Sequence, residues 1–168
     1  MNRKQFFKTA GFSSLAFMAP SLIRATSNTI DPDPLDKKLV EEFLRVAHSD
    51  MDKVKALLEE HPTLLNAAYD WNGGDFETGL GAASHVGFKE LAQYFLNKGA
   101  QANIFTACLF GKMKIVKSMI GAFPSVLHAK GPHGYTLLHH AIEGGEEALK
   151  VKKYLVSLGA KETLIKLY

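Results

Sequence analysis

Cysteine is almost missing: Cys108 stands alone in 168 residues, which excludes an intramolecular disulfide framework, a multi-cysteine zinc ligand set and a lipid-modified cysteine behind a leader. No long hydrophobic run occurs either. The longest mildly apolar stretch, Thr9 to Ile23, is interrupted by Ser13, Ser14 and Pro20 and is too short to cross a bilayer as a stable helix, so no lasting membrane insertion is expected. An excess of one charge is also lacking. The formal charge is +3, but Arg3, Lys4, Lys8 and Arg24 fall in a first 25 residues without a single acid; taking these four from the 20 Lys and Arg leaves 16 against 17 Asp and Glu, about −1. Nucleic-acid binding thereby loses its electrostatic basis. Glycine-rich phosphate loops and dinucleotide fingerprints are missing as well: no glycine spacing here fits either pattern.

What is present is a chain with 46% hydrophobic and 22% charged residues, of a length that suits one domain. The basic start MNRKQFFK followed by the mildly apolar stretch has the architecture of a cleavable leader. Arg3-Lys4-Gln5-Phe6-Phe7-Lys8 resembles the twin-arginine export motif, with Lys4 in place of the second arginine. Cleavage after Ala25 would place Ile23 and Ala25 at the two specificity positions. Residues 1–25 are therefore expected to be a signal, with the mature chain periplasmic or secreted. Residues 26–35 read as a linker: Ser27 to Asp36 holds two prolines and three aspartates, which disfavour helix. The folded domain is expected over 36–168.

Within it, apolar residues at helical spacing come in pairs of short segments. Leu39, Val40, Phe43, Leu44 and Ala47 precede Val54, Leu57 and Leu58. Leu80 to Ser84 precede Leu91, Phe95 and Leu96. Phe105 to Leu109 precede Ile115, Val116, Met119 and Ile120. Leu137 to Ile142 precede Val151, Tyr154, Leu155 and Leu158. Asp50, Gly87, Gly111 and Gly145 fall between the members of the four pairs, at gaps of 37, 24 and 34 residues. The short gap makes Gln101-Ala102-Asn103 run straight into the next helix. Two long turns remain, Tyr69 to Glu77 and Ala129 to Tyr135, and they are expected on the same face.

Thr136-Leu137-Leu138-His139-His140-Ala141, with Gly145 and then Gly159-Ala160, resembles the ankyrin repeat, whose first helix carries T-P-L-H-x-A. Thr78-Gly79-Leu80-Gly81-Ala82-Ala83 with Gly87 and Gly99-Ala100 keeps the spacing but loses the proline and the histidine. Around Asp50 and Gly111 the pattern is degenerate: Glu60-His61-Pro62 and Ala122-Phe123-Pro124 replace Gly-Ala, and the apolar pairs Leu64-Leu65 and Val126-Leu127 are expected to pack on the preceding helix. The resemblance spans about Asp36 to Lys161. It implies an all-α solenoid of about four helix-turn-helix repeats that is stable only as a stack, and a protein-binding role without catalytic activity.

Candidate chemistry is weighed on that frame. His139 and His140 point about 100° apart on a helix and cannot chelate one ion as an i, i+4 pair would. The resemblance implies that His139 bonds neighbouring backbone and that Thr136 caps its helix. His140 takes the variable position that tends to face the groove, and with Arg45, His48, Ser49, His85, Val86, Thr106, Leu109, Phe110 and Glu143 it forms one candidate strip. A metal site or a small hydrolytic enzyme would use His48, His85, His140 and Glu143. Against it, ligands in repeats stacked about 10 Å apart seldom meet at one ion, so no catalytic, cofactor or metal residue is assigned.

Asp70, Asp75 and Glu77 could serve as paired carboxylates in acid/base chemistry, but read as solvated turn acids, and Trp71 as either a recognition anchor or a lid over the repeat core. Cys108 matches an inner helix position, an inert buried thiol. Lys112, Lys114 and Lys117, like Lys150, Lys152 and Lys153, read as solvated helix faces. The expected contact face is Arg45, His48, Trp71, Asp75, His85, Phe110, His133, His140 and Glu143, meeting another protein as a monomer. A chaperone-like helper of a co-exported enzyme is a further alternative.

Overall fold

Asp36 opens the first helix with its own side chain, the Oδ1 accepting from the backbone N–H of Lys38 at 2.8 Å and of Leu39 at 3.1 Å, which satisfies donors the helix cannot. The structure, a computed structural model, describes residues 33–168; the expected signal and residues 26–32 of the expected linker lie outside them. Eight α-helices occur among the described residues: α1 Lys37–Val46, α2 Met51–Glu60, α3 Gly79–His85, α4 Lys89–Asn97, α5 Ile104–Leu109, α6 Met113–Ala122, α7 Leu137–Glu143 and α8 Leu149–Ser157. These are the four expected pairs. The first members touch in chain order, α1 on α3, α3 on α5 and α5 on α7, and α6 touches α8. The described residues are thus mostly helical, and no helix among them is long and apolar enough to cross a membrane.

The turns inside the pairs follow the residues predicted for them. Gly87, Gly111 and Gly145 adopt φ of 73°, 59° and 62°, the left-handed region that a Cβ disfavours. Asp50 instead caps α2, accepting from the Lys53 N–H at 3.0 Å. Thr78, Asn103 and Thr136 cap α3, α5 and α7 in the same way. Leu64-Leu65 and Val126-Leu127 lie in 3-10 helices Pro62–Asn66 and Pro124–His128, which pack on α2 and α6. Three expected core residues, Ile115, Ile142 and Leu158, are exposed. Ile115 precedes the buried Val116 by one residue and so points about a quarter turn away, and Leu158 lies beyond the last buried turn of α8.

The core falls into two clusters, one around Phe43, Leu44, Val54, Leu91 and Phe95, the other around Ile104, Cys108, Val116, Leu137, Val151 and Leu155. Phe43 and Phe95 meet edge to face, centroids 5.9 Å apart. They explain why position 79 carries no side chain: a Cβ there would lie 2.8 Å from Phe95 and 2.9 Å from Phe43. Burying one such ring is worth about 1.5–3 kcal/mol, more than the roughly 1 kcal/mol that glycine costs in a helix. At Gly81 a Cβ would make only ordinary contacts, with Pro132 and Thr78 at 3.4 Å and Glu77 at 3.7 Å. Cys108 is fully buried, and burial pushes its thiol up to about 12.

Tyr69 to Glu77, expected as a turn, contains a short antiparallel ladder: β1 Ala68–Asp70 pairs with β2 Phe76–Thr78, Tyr69 opposite Glu77. Three-residue strands are too short to show alternation in the sequence. The second long turn, around His133, meets this hairpin, since the His133 N–H donates to Asp75 Oδ1 at 2.8 Å. From behind, the tail holds it: Ile165 N–H donates to Gly134 O at 2.9 Å and Thr136 N–H to Thr163 O at 3.1 Å.

Candidate functional site

Four ligand-type side chains converge where the hairpin, the second long turn and the first helices of pairs one and two come together. His48 follows α1, His85 ends α3, Glu77 is the middle of β2, and His133 sits at the tip of the turn. One donor atom from each lies within 4.8 Å of all the others. His85 Nε2 is 2.9 Å from Glu77 Oε1 and 3.1 Å from His48 Nε2. Glu77 Oε1 is also 3.6 Å from His48 Nε2 and 3.5 Å from His133 Nε2. Glu77 is 1% and His85 6% exposed, whereas His48 and His133 are half-buried.

A surrounding set of hydrogen bonds orients all but His85. His48 Nδ1 is 2.8 Å from Leu44 O; a carbonyl only accepts, so Nδ1 carries the proton and a neutral His48 presents the lone pair of Nε2 to the cluster. His133 Nδ1 is 2.7 Å from Asp75 Oδ2, so Nδ1–H donates outward and Nε2 is the nitrogen turned inward. Trp71 Nε1–H donates to Glu77 Oε2 at 2.7 Å, leaving Oε1 to face the imidazoles. His85 stacks on Tyr135 at 5.0 Å, and Tyr135 stacks on His139 at 4.1 Å. His133 holds φ 57°, the one left-handed non-glycine residue among the described residues, a conformation that costs of order 1 kcal/mol outside glycine.

The site opens on one side. A cleft of about 400 Å³ is lined by Arg45, His48, Trp71 and His133. Arg45 is anchored at its rim, donating to Glu41 Oε1 at 2.7 and 3.0 Å and lying 4.8 Å over the Trp71 ring. The Tyr69 hydroxyl donates to Glu41 Oε2 at 3.0 Å. Hydrogen bonds from Arg45 and then from Tyr69 hold the Glu41 carboxyl below its ordinary range.

Of the residues expected on the contact face, Arg45, His48, Trp71, Asp75, His85 and His133 come together here. Phe110, Glu143 and His140 do not. Phe110 caps the C-terminus of α5 under Lys89, and Glu143 packs against Gly87. His140, expected to face the groove, is fully buried: Nδ1 is 2.8 Å from Thr136 O, Phe105 lies 5.1 Å away and Nε2 has no partner. Burial pushes its imidazole down to about 4. His139 takes the backbone-bonding place the motif implies, 2.7 Å from His85 O.

Two expectations about the acids are overturned. Asp75 and Glu77 are not solvated but 8% and 1% exposed, because the ladder turns Glu77 inward and the second turn covers Asp75; Asp70 alone of the three is exposed. The expected separation of histidines in successive helix pairs is not found, since His48 just follows α1, His85 ends α3 and their ring centroids lie 5.0 Å apart. Glu77 and His133 were the members that spacing alone could not add, although both long turns were expected on one face. No protein-family model matches the chain, and no curated protein matches it.

Proposed function

We propose that the chain is a non-catalytic, ankyrin-type protein-binding module of four repeats, exported through its basic, mildly apolar N-terminus and working as a monomer. The T-L-L-H-H-A segment and its glycines support the repeat reading, as do four helix pairs whose first members touch in chain order. Each pair has one apolar face that only a neighbour can cover, so the stack folds as a whole and presents a rigid surface.

The observation that carries the binding role is the cleft at the junction of the two long turns, where half-buried Trp71 lies beneath the anchored Arg45. Aromatic and arginine side chains held in place by their own neighbours lose little entropy when a partner docks, which is the usual character of interface anchors.

The test uses the mature domain as bait in periplasmic extract of its own host, with cross-linking and mass spectrometry, beside an Arg45→Ala, Trp71→Ala double variant. A protein held by the wild type and lost by the variant is the expected result. Equal retention by both would move the contact face elsewhere, and retention of nothing would overturn the module reading.

A further inference from the structure

We propose that His48, Glu77, His85 and His133 form a binding site for one divalent transition-metal ion, with zinc as the ion their chemistry fits best. Four edges of the donor polyhedron measure 2.9, 3.1, 3.5 and 3.6 Å. Bonds of about 2.0–2.1 Å to a tetrahedral ion place neighbouring donors about 3.3 Å apart. These four edges bracket that value, and the two remaining edges, from His133 to His48 and to His85, are no longer than 4.8 Å, so side-chain adjustment without backbone rearrangement brings all four donors to one ion.

The proton count inside the cluster argues the same way. The bonds to Leu44 O and Asp75 Oδ2 place the protons of His48 and His133 on their outer nitrogens, and Trp71 occupies the outer oxygen of Glu77. Three acceptors, two imidazole lone pairs and a carboxylate oxygen, therefore face one centre at which only His85 can supply an N–H. One N–H serves three acceptors there, and a cation would bond all four groups once the His85 proton sits on Nδ1 instead of Nε2. The outer partners are those of metal sites, where a carboxylate or a backbone carbonyl holds the far nitrogen of a ligating histidine and raises its basicity. Three imidazoles and one carboxylate suit a borderline cation; magnesium and calcium prefer all-oxygen shells.

The ion would join α1, α3, the hairpin and the second turn, four segments brought together only by folding. It would therefore act as a clamp on the stack, and its seat does not depend on whether a partner docks at the cleft. His133 supports this role, because a left-handed tip position favours glycine and here supplies an imidazole.

The test uses tag-free full-length protein stripped with chelator and then titrated with zinc alone and with cobalt alone. One ion per chain, a visible cobalt spectrum of tetrahedral type, and X-ray absorption of the zinc form showing imidazole and oxygen donors at about 2.0–2.1 Å are expected. Zinc should also raise the melting temperature, as any ligand of the native state alone does. His133→Asn keeps a side chain tolerant of the left-handed backbone and should weaken zinc binding at least about 100-fold, whereas Asp75→Asn, which only orients a ligand, should weaken it about 10–100-fold. His61→Ala, beside Glu60 at the end of α2, should leave binding unchanged. No binding by the folded wild type overturns the proposal, as does an all-oxygen shell. Full affinity in His133→Asn with normal circular dichroism does the same.

Discussion

Two histidine environments in this protein, one open to a cleft and one sealed, show how differently the same side chain is treated. Around Glu77, atoms of His48, His85 and His133 converge from segments up to 85 residues apart in the chain, with the outer nitrogens of His48 and His133 held by Leu44 O and Asp75. Around Phe105, His140 is sealed in alone: one nitrogen bonds the preceding turn of its own helix and the other has no partner. In the first region polar groups are built around a centre, while in the second a polar ring fills space in an apolar layer. Adjacency in sequence is no guide to which histidines meet. His139 and His140 are neighbours that diverge, and His48 and His85 are distant residues that meet.

The sharpest way to break this contrast is Glu77→Ala. Removing the buried carboxylate leaves the Trp71 N–H and the His85 imidazole without their shared acceptor, and a loss of about 3 kcal/mol or more is expected in urea unfolding of the metal-free protein. A loss below 1 kcal/mol would mean that water reaches the cluster freely.

The second region is sharpened by pH. The folded chain holds the His140 imidazole at about 4 against an ordinary 6.5, so between those values the unfolded chain binds the proton first. The stability of the neutral form is complete above about pH 6.5 and drains away as pH falls towards 4, by about 3 kcal/mol in all. His140→Leu should remove that slope, and the difference between the wild-type and variant stability curves isolates it from the other histidines. Parallel curves would show that His140 is reached by solvent.

The smallest effect is expected at the rim. Arg45 is exposed and its pair with Glu41 is an i, i+4 surface pair, so Arg45→Ala should change stability by no more than about 1 kcal/mol. A larger loss would make the stack of Arg45 on Trp71 part of the packing that shapes the site.

Much of the helical architecture was legible because its signals are local. The apolar spacing of Phe43 with Ala47 or Val116 with Ile120 is a property of a single helix, and the glycines at 87, 111 and 145 terminate helices by backbone conformation alone. The six site residues on the expected face were legible only as a neighbourhood. Their chemistry was not, because it depends on which atom of each ring faces inward. Glu77 looked like one acid of an exposed turn, and nothing short of the Tyr69 to Glu77 ladder pairing tells that it is buried. His140 looked like a groove residue because motif position predicts direction only where the neighbouring pair leaves that direction open, and here Phe105 closes it.

The sequence by itself determined the four helix pairs, the glycine turns within three of them, the near-neutral charge of residues 26–168 and the inert character of Cys108, since each follows from short-range sterics or from counting. Only the tertiary structure decided that His48, Glu77, His85 and His133 share one centre and that His140 does not. Convergence of side chains across 85 residues depends on how helices stack and turns dock, and those choices are made by summed packing and buried hydrogen bonds rather than by any local run of residues.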